Sequence, residues 1–90
     1  MQARLICYSL KNLTSAERVA FRRSIYGFND HSNKSKYSYR RQGVMDSVEH
    51  KKILDSVMIV KNSDADKVVK RMKACKATVY VFPVVIPFKL

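Results

Sequence analysis

The run Asn33-Lys34-Ser35-Lys36-Tyr37-Ser38-Tyr39-Arg40-Arg41-Gln42 packs four cations and two tyrosines into ten positions without an acid. A guanidinium is a planar fork that fits phosphate oxygens and stacks on bases, whereas an ammonium acts mainly as a point charge. On a strand, Tyr37, Tyr39 and Arg41 share one face, while Ser38, Arg40 and Gln42 share the other. Tyrosines beside arginines on an open surface suit stacking on unpaired bases combined with phosphate contacts. The competing use of the same pattern is an edge strand with core-facing tyrosines and cations that keep the edge soluble. Arg18, Arg22 and Arg23 form a second basic group, with Arg18 and Arg22 four residues apart beside Phe21 and Ile25. The expected nucleic-acid-binding set is therefore Arg18, Arg22, Arg23, Lys34, Lys36, Tyr37, Tyr39, Arg40 and Arg41, with cations on phosphates and Tyr37 or Tyr39 on a base.

Other chemistries find less support. Asp30-His31-Ser32 and the distant His50 offer acid-base groups for phosphodiester cleavage, but an Asp-His pair in a polar segment is more often a turn with an exposed imidazole. No Gly-rich phosphate loop, nucleophile elbow or paired-carboxylate motif occurs. The sequence reads as a non-enzyme, with no cofactor and no metal site expected. Cys7 and Cys75 lie among apolar residues without CxxC spacing, which fits two thiols in a reducing compartment rather than a disulfide framework.

The balance of 18 Lys+Arg against 7 Asp+Glu gives a formal charge of +11. Charge of that size suits a polyanionic partner. It is also uneven. Residues 1–45 hold nine Lys+Arg against Glu17 and Asp30, and six of the seven arginines. The cations of the second half, mostly lysines, fit a solvated helix face. With 47% hydrophobic residues the chain is globular in composition, and at 90 residues it is expected to be a single domain. The N-terminal run lacks a signal-peptide pattern, and the apolar C-terminal stretch is too short and too proline-rich to span a bilayer. The expectation is a cytoplasmic protein without a membrane partner.

These groups need elements to position them. Arg4 to Leu10 reads as a first strand. Thr14-Ser15-Ala16-Glu17 is a capping box that opens a helix running to about Tyr26, with Gly27 as its stop. One stripe of that helix carries Ala16, Val19, Ala20 and Tyr26, and another carries Phe21 and Ile25. One must pack on the sheet, and the other is expected to be covered by the 44–55 segment or the C-terminal tail. Residues 28–35 read as a loop and 36–42 as the second strand. Residues 44–55 are ambiguous, with a helical turn within 46–52. Residues 56–61 form an apolar strand. A second helix starts at Ser63 or Asp64, with Ala65, Val68, Val69, Met72 and Cys75 on one stripe. Ala77 to Phe82 forms the last strand, which breaks at Pro83.

The expected fold class is therefore α+β, a ferredoxin-like β-α-β-β-α-β arrangement. It would have a four-stranded antiparallel sheet with two helices on one face and an open face opposite. The order resembles that of RNA-recognition motifs. The third strand Val57-Met58-Ile59-Val60, however, has no aromatic and no basic-glycine-aromatic consensus, so the usual stacking platform is missing. The apolar residues at 83–90 are expected to dock, either within the chain or on a partner or second copy.

The composition resembles that of small ribosomal proteins. The sequence thus points to a small basic RNA-binding protein, a structural part of a ribonucleoprotein such as the ribosome, with ribonucleoprotein neighbours as partners. Duplex-DNA binding by a chromatin-type or regulatory homodimer is the alternative. A small ribonuclease and an adaptor for an acidic protein follow.

Overall fold

A computed structural model describes residues 1–31 and 38–90. Four strands, β1 (Gln2–Ser9), β4 (His50–Leu54), β5 (Val57–Lys61) and β6 (Thr78–Val85), form one antiparallel sheet in the order β4-β5-β1-β6. Helix α1 (Ser15–Tyr26) follows β1, and α2 (Ala65–Ala74) joins β5 to β6. Between α1 and β4 lie a separate antiparallel pair, β2 (Phe28–His31) and β3 (Ser38–Arg41), and a 3-10 turn at Val44–Ser47. The protein is thus α+β, with a four-stranded antiparallel sheet and two helices.

The register explains the core. Directly paired residues of antiparallel strands project to the same side. Ile6 pairs with Met58 and Arg4 with Val60, so Ile6, Tyr8, Met58 and Val60 line one face of the sheet. These four are buried together with Phe21 and Ile25 of α1 and with Ala65, Val68 and Met72 of α2. Both helices therefore pack on this one face. Tyr8 and Phe21 meet with ring centroids 4.9 Å apart.

Helix α1 begins as its sequence indicates. Thr14 Oγ1 accepts from the Glu17 N–H, and Glu17 Oε1 accepts from the Thr14 N–H. The N–H of Thr14 first, then Lys76 at 3.1 Å, holds the Glu17 carboxyl below its ordinary value. Of its two apolar stripes, Phe21 and Ile25 are the buried one. Ala16, Val19 and Ala20 are exposed, contrary to the expectation that the second stripe is covered. The reason is size: one Phe and one Ile at i, i+4 fill the helix–sheet gap, while two alanines and a valine leave little apolar area to hide.

At the helix's C-terminal end the Tyr8 hydroxyl donates to the Asp55 carbonyl at 2.8 Å and accepts from Tyr26 Oη at 2.7 Å. Burial pushes the Tyr26 hydroxyl well above its ordinary value, and the bond to Tyr8 adds to this. Tyr26→Phe leaves the Tyr8 oxygen without its donor and is expected to cost about 1 kcal/mol in a urea melt. An unchanged midpoint would show that water replaces the donor.

The sheet departs from the expected assignment at its edges. Its second strand in chain order is β4, within the ambiguous segment, whereas the strand at the Tyr-Arg run pairs only with β2. Residues 28–31, read as loop, are that partner. Every residue of β4 is exposed and a bulge interrupts it between Lys52 and Leu54, so no apolar alternation marks it. At the other edge, β6 continues through Pro83 to Val85. An edge strand tolerates a proline because one side of its backbone needs no partner. The start of the C-terminal tail then docks in cis. Ile86 is buried, its N–H donates to the Met1 carbonyl at 2.8 Å, and its carbonyl accepts from the N-terminal amine at 2.7 Å.

Candidate nucleic-acid interface

The hairpin carrying the Tyr-Arg run is fixed by a backbone crossing of the chain's two glycines. A Cβ at Gly43 would collide with the Gly27 nitrogen and lie 2.5 Å from the Ile25 carbonyl oxygen. Gly27 has φ +77°, in the region that favours glycine, and a Cβ there would collide with the Arg41 carbonyl oxygen. The hairpin thus leaves the C-terminus of α1 and returns against it with no side chain between.

Arg40 locks this crossing. Its Nη2 donates to the Tyr26 carbonyl at 2.6 Å and to both Asp46 carboxylate oxygens at 3.0 Å. Asp46 also accepts from the Gly43 N–H at 2.7 Å. That backbone N–H first, with the Arg40 guanidinium beside it, holds the Asp46 carboxyl below its ordinary 3.8. A depressed carboxyl contributes stability that is complete above the unfolded value and is lost as pH falls through the folded one. Asp46→Asn should therefore flatten the pH dependence of the thermal midpoint below about pH 4. Identical slopes in the two proteins would show that Asp46 is not held this way.

Alternation along the hairpin sorts its side chains. Phe28 pairs with Arg41 and Asp30 with Tyr39, so these four share one face, while Arg40 lies on the other. This matches the expected split between Tyr39 with Arg41 and Arg40 opposite. On the shared face the Arg23 guanidinium sits 4.6 Å from the centroid of the Phe28 ring. Arg41 pairs with Asp30 at 3.2 Å, and Tyr39 is 57% exposed. Arg23, Phe28, Arg41 and Tyr39 therefore form a row in which two guanidinium groups alternate with two aromatic rings, exposed at Arg23, Arg41 and Tyr39 and half-buried at Phe28.

The remaining expected residues separate. Arg18 donates from Nε to the Leu10 carbonyl at 3.1 Å and from Nη2 to the Lys11 carbonyl at 3.3 Å, which ties the β1–α1 turn. Arg22 lines a cleft of about 360 Å³ with Tyr8, Tyr26, Gly27, Lys52, Asp55 and Ser56. It has no ion-pair partner among the described residues. Lys34, Lys36 and Tyr37 lie outside the described residues. Phe28 was missed by sequence reasoning because it opens a segment rich in turn formers. Its one signal was an aromatic directly after a helix-stopping glycine.

Six of the seven acids are paired within the chain. Asp30, Asp46, Glu49, Asp55, Asp64 and Glu17 pair with Arg41, Arg40, Lys61, Lys52, Lys67 and Lys76. Arg22, Lys70 and Lys73 are exposed with no such partner among the described residues. No group of three His, Cys, Asp or Glu suited to a metal occurs among the described residues. No described helix is long and apolar enough to cross a membrane. In comparisons with known proteins, no family model, curated protein or solved structure matches the chain significantly.

Proposed function

We propose that the protein binds nucleic acid, RNA in preference to DNA, as a structural part of a ribonucleoprotein. The observation that carries this reading is the row Arg23, Phe28, Arg41 and Tyr39, exposed except at the half-buried Phe28. Aromatic faces accept unpaired bases, and guanidinium groups beside them accept phosphates or stack in turn. Exposed bases are a property of folded RNA more than of duplex DNA, hence the preference. Six of the seven acids are paired within the chain, and the net charge of +11 attracts the polyanion over a longer range.

The proposed scaffold is the ferredoxin-like β-α-β-β-α-β arrangement, made by β1, α1, β4, β5, α2 and β6. The β2–β3 hairpin is then an insertion between the first helix and the second sheet strand, and it carries the contact row. Arg40 serves this interface as the residue that holds the hairpin, and Arg18 as the residue that ties the turn before α1. Arg22, Arg23 and Arg41 make the phosphate contacts.

Binding of a fluorescent single-stranded RNA across a salt series tests this. Changing Arg22 and Arg23 together to Ala should weaken binding and reduce the slope of log K against log salt by about 1.4, two contacts at the single-strand coefficient. An unchanged slope would remove this part of α1 from the interface. Preference for duplex DNA over single-stranded RNA at equal salt would favour the chromatin-type alternative.

A further inference from the structure

We infer that the cleft between the end of α1 and the β4–β5 turn is a binding site for a phosphomonoester, the terminal phosphate of a nucleotide or of a nucleic-acid strand. The choice of ligand class rests on the nucleic-acid reading above. Among the described residues the fold uses six of the seven arginines: Arg4, Arg18, Arg40, Arg41 and Arg71 donate to groups of the chain, and Arg23 lies over the Phe28 ring. Arg22 is the exception. It makes no hydrogen bond, ion pair or ring contact among the described residues, and it lines the cleft of about 360 Å³ together with Lys52. Arg22 stands one helical turn before Tyr26, so the two share a side of α1. Lys52 Nζ sits 5.4 Å from the centroid of the Tyr26 ring. The acid nearest Lys52 is Asp55, 3.9 Å away and fully exposed, and such a pair holds its ammonium weakly.

The walls of the cleft are fixed before any ligand arrives. The Tyr8 N–H donates to the Ser56 carbonyl at 3.0 Å and its hydroxyl to the Asp55 carbonyl at 2.8 Å, which ties the β4–β5 turn to β1. The bond of 2.7 Å between the Tyr8 and Tyr26 hydroxyls ties the helix to the same point. The C-terminal end of a helix ordinarily repels an anion. Here the Tyr26 carbonyl is occupied by the Arg40 guanidinium at 2.6 Å, which offsets that repulsion.

Charge and size select the ligand. A guanidinium fork beside an ammonium suits the oxygens of a phosphate. A phosphomonoester carries about −1.5 to −2 at neutral pH and so matches two cations, whereas a carboxylate or a phosphodiester link carries a single charge. The volume is at the small end of the range for ligand clefts, about 300–1,000 Å³, and admits one nucleotide rather than a longer piece. Asp55 is the one acid on the cleft, and its carboxylate competes with the phosphate for Lys52.

Anisotropy measurements on the full chain test the site with one internally labelled single-stranded RNA, prepared with a 5′-phosphate, a 3′-phosphate or hydroxyls at both ends. One phosphorylated form should bind about tenfold more tightly than the hydroxyl form. Lys52→Ala should bring the two affinities within about twofold of each other. Asp55→Asn should widen the preference severalfold by releasing Lys52, while Asp66→Asn, the same charge change on α2, should not. Adenosine 5′-monophosphate as competitor separates the two sources of the phosphate. Displacement by it at concentrations similar to those of the phosphorylated RNA assigns the site to free nucleotides, and displacement by the phosphorylated RNA alone assigns it to a strand end. Equal binding of all three RNAs without binding of the mononucleotide would overturn the inference and leave the RNA reading standing. A preference that survives Lys52→Ala would also overturn it. Binding of the mononucleotide by a protein that binds none of the RNAs would keep the site and remove the RNA reading.

Discussion

Gly43→Ala should destabilise the protein by about 3 kcal/mol. The methyl group has no room: its nearest neighbours are the backbone nitrogen of Gly27 and the backbone oxygen of Ile25, neither of which can rotate aside as a side-chain end would. Accommodating it requires the hairpin and the end of α1 to separate. That in turn breaks the Arg40 bonds to the Tyr26 carbonyl and to Asp46. The substitution should therefore lower the urea midpoint and reduce RNA affinity together, since the Tyr39–Arg41 row loses its seat beside Arg23. Gly27→Ala should act in the same direction, by collision with the Arg41 carbonyl and by strain at φ +77°. A Gly43→Ala protein with an unchanged midpoint would contradict the crossing.

Phe21→Ala carries the other large effect. Phe21 is the largest fully buried side chain of α1 and meets Tyr8 in the core. Truncation leaves a cavity and removes the aromatic contact, at a cost of about 3–5 kcal/mol. A domain of this length is stabilised by roughly 5–13 kcal/mol, so a large share of the total is at stake. Phe21→Leu refills most of the volume and should recover more than half of the loss. Because Arg22 and Arg23 follow Phe21 directly, loosening this anchor should also blur the interface. Measured at a urea concentration where the Leu variant remains folded, its RNA affinity should stay near that of the parent. A small loss for Phe21→Ala would mean that α1 is held mainly by its caps.

How much of this was legible in the sequence depended on whether a residue's role is local. The capping box at Thr14–Glu17, the stripe on α2 and the apolar run of β5 follow from spacing within a few residues, and each appears where its spacing put it. The sheet edges did not declare themselves. Strand β4 is exposed along its whole length and bulged, so its identity rests on hydrogen bonds to β5 rather than on side-chain alternation. Pro83 looked like a terminator because a proline cannot sit in a central strand, yet β6 is an edge.

The Tyr-Arg run was recognised as a strand with its faces correctly divided at Tyr39, Arg40 and Arg41, but it was assigned to the wrong sheet. Its true partner is β2, whose sequence Phe28-Asn29-Asp30-His31 is made largely of turn formers. Pairing across a gap in sequence leaves no short-range trace there. Arginine roles were also out of reach. Arg18, Arg40 and Arg41 are equally basic in the sequence, and only the fold shows that the first two bind backbone carbonyls while the third lies in the aromatic row.

The central claim, a structural role in a ribonucleoprotein, is tested most directly by sedimenting native cell lysate through a sucrose gradient and following this protein with and without RNase. The account predicts co-migration with a large particle that survives moderate salt and collapses to the top of the gradient when RNA is digested. Residence at the top under every condition would contradict it.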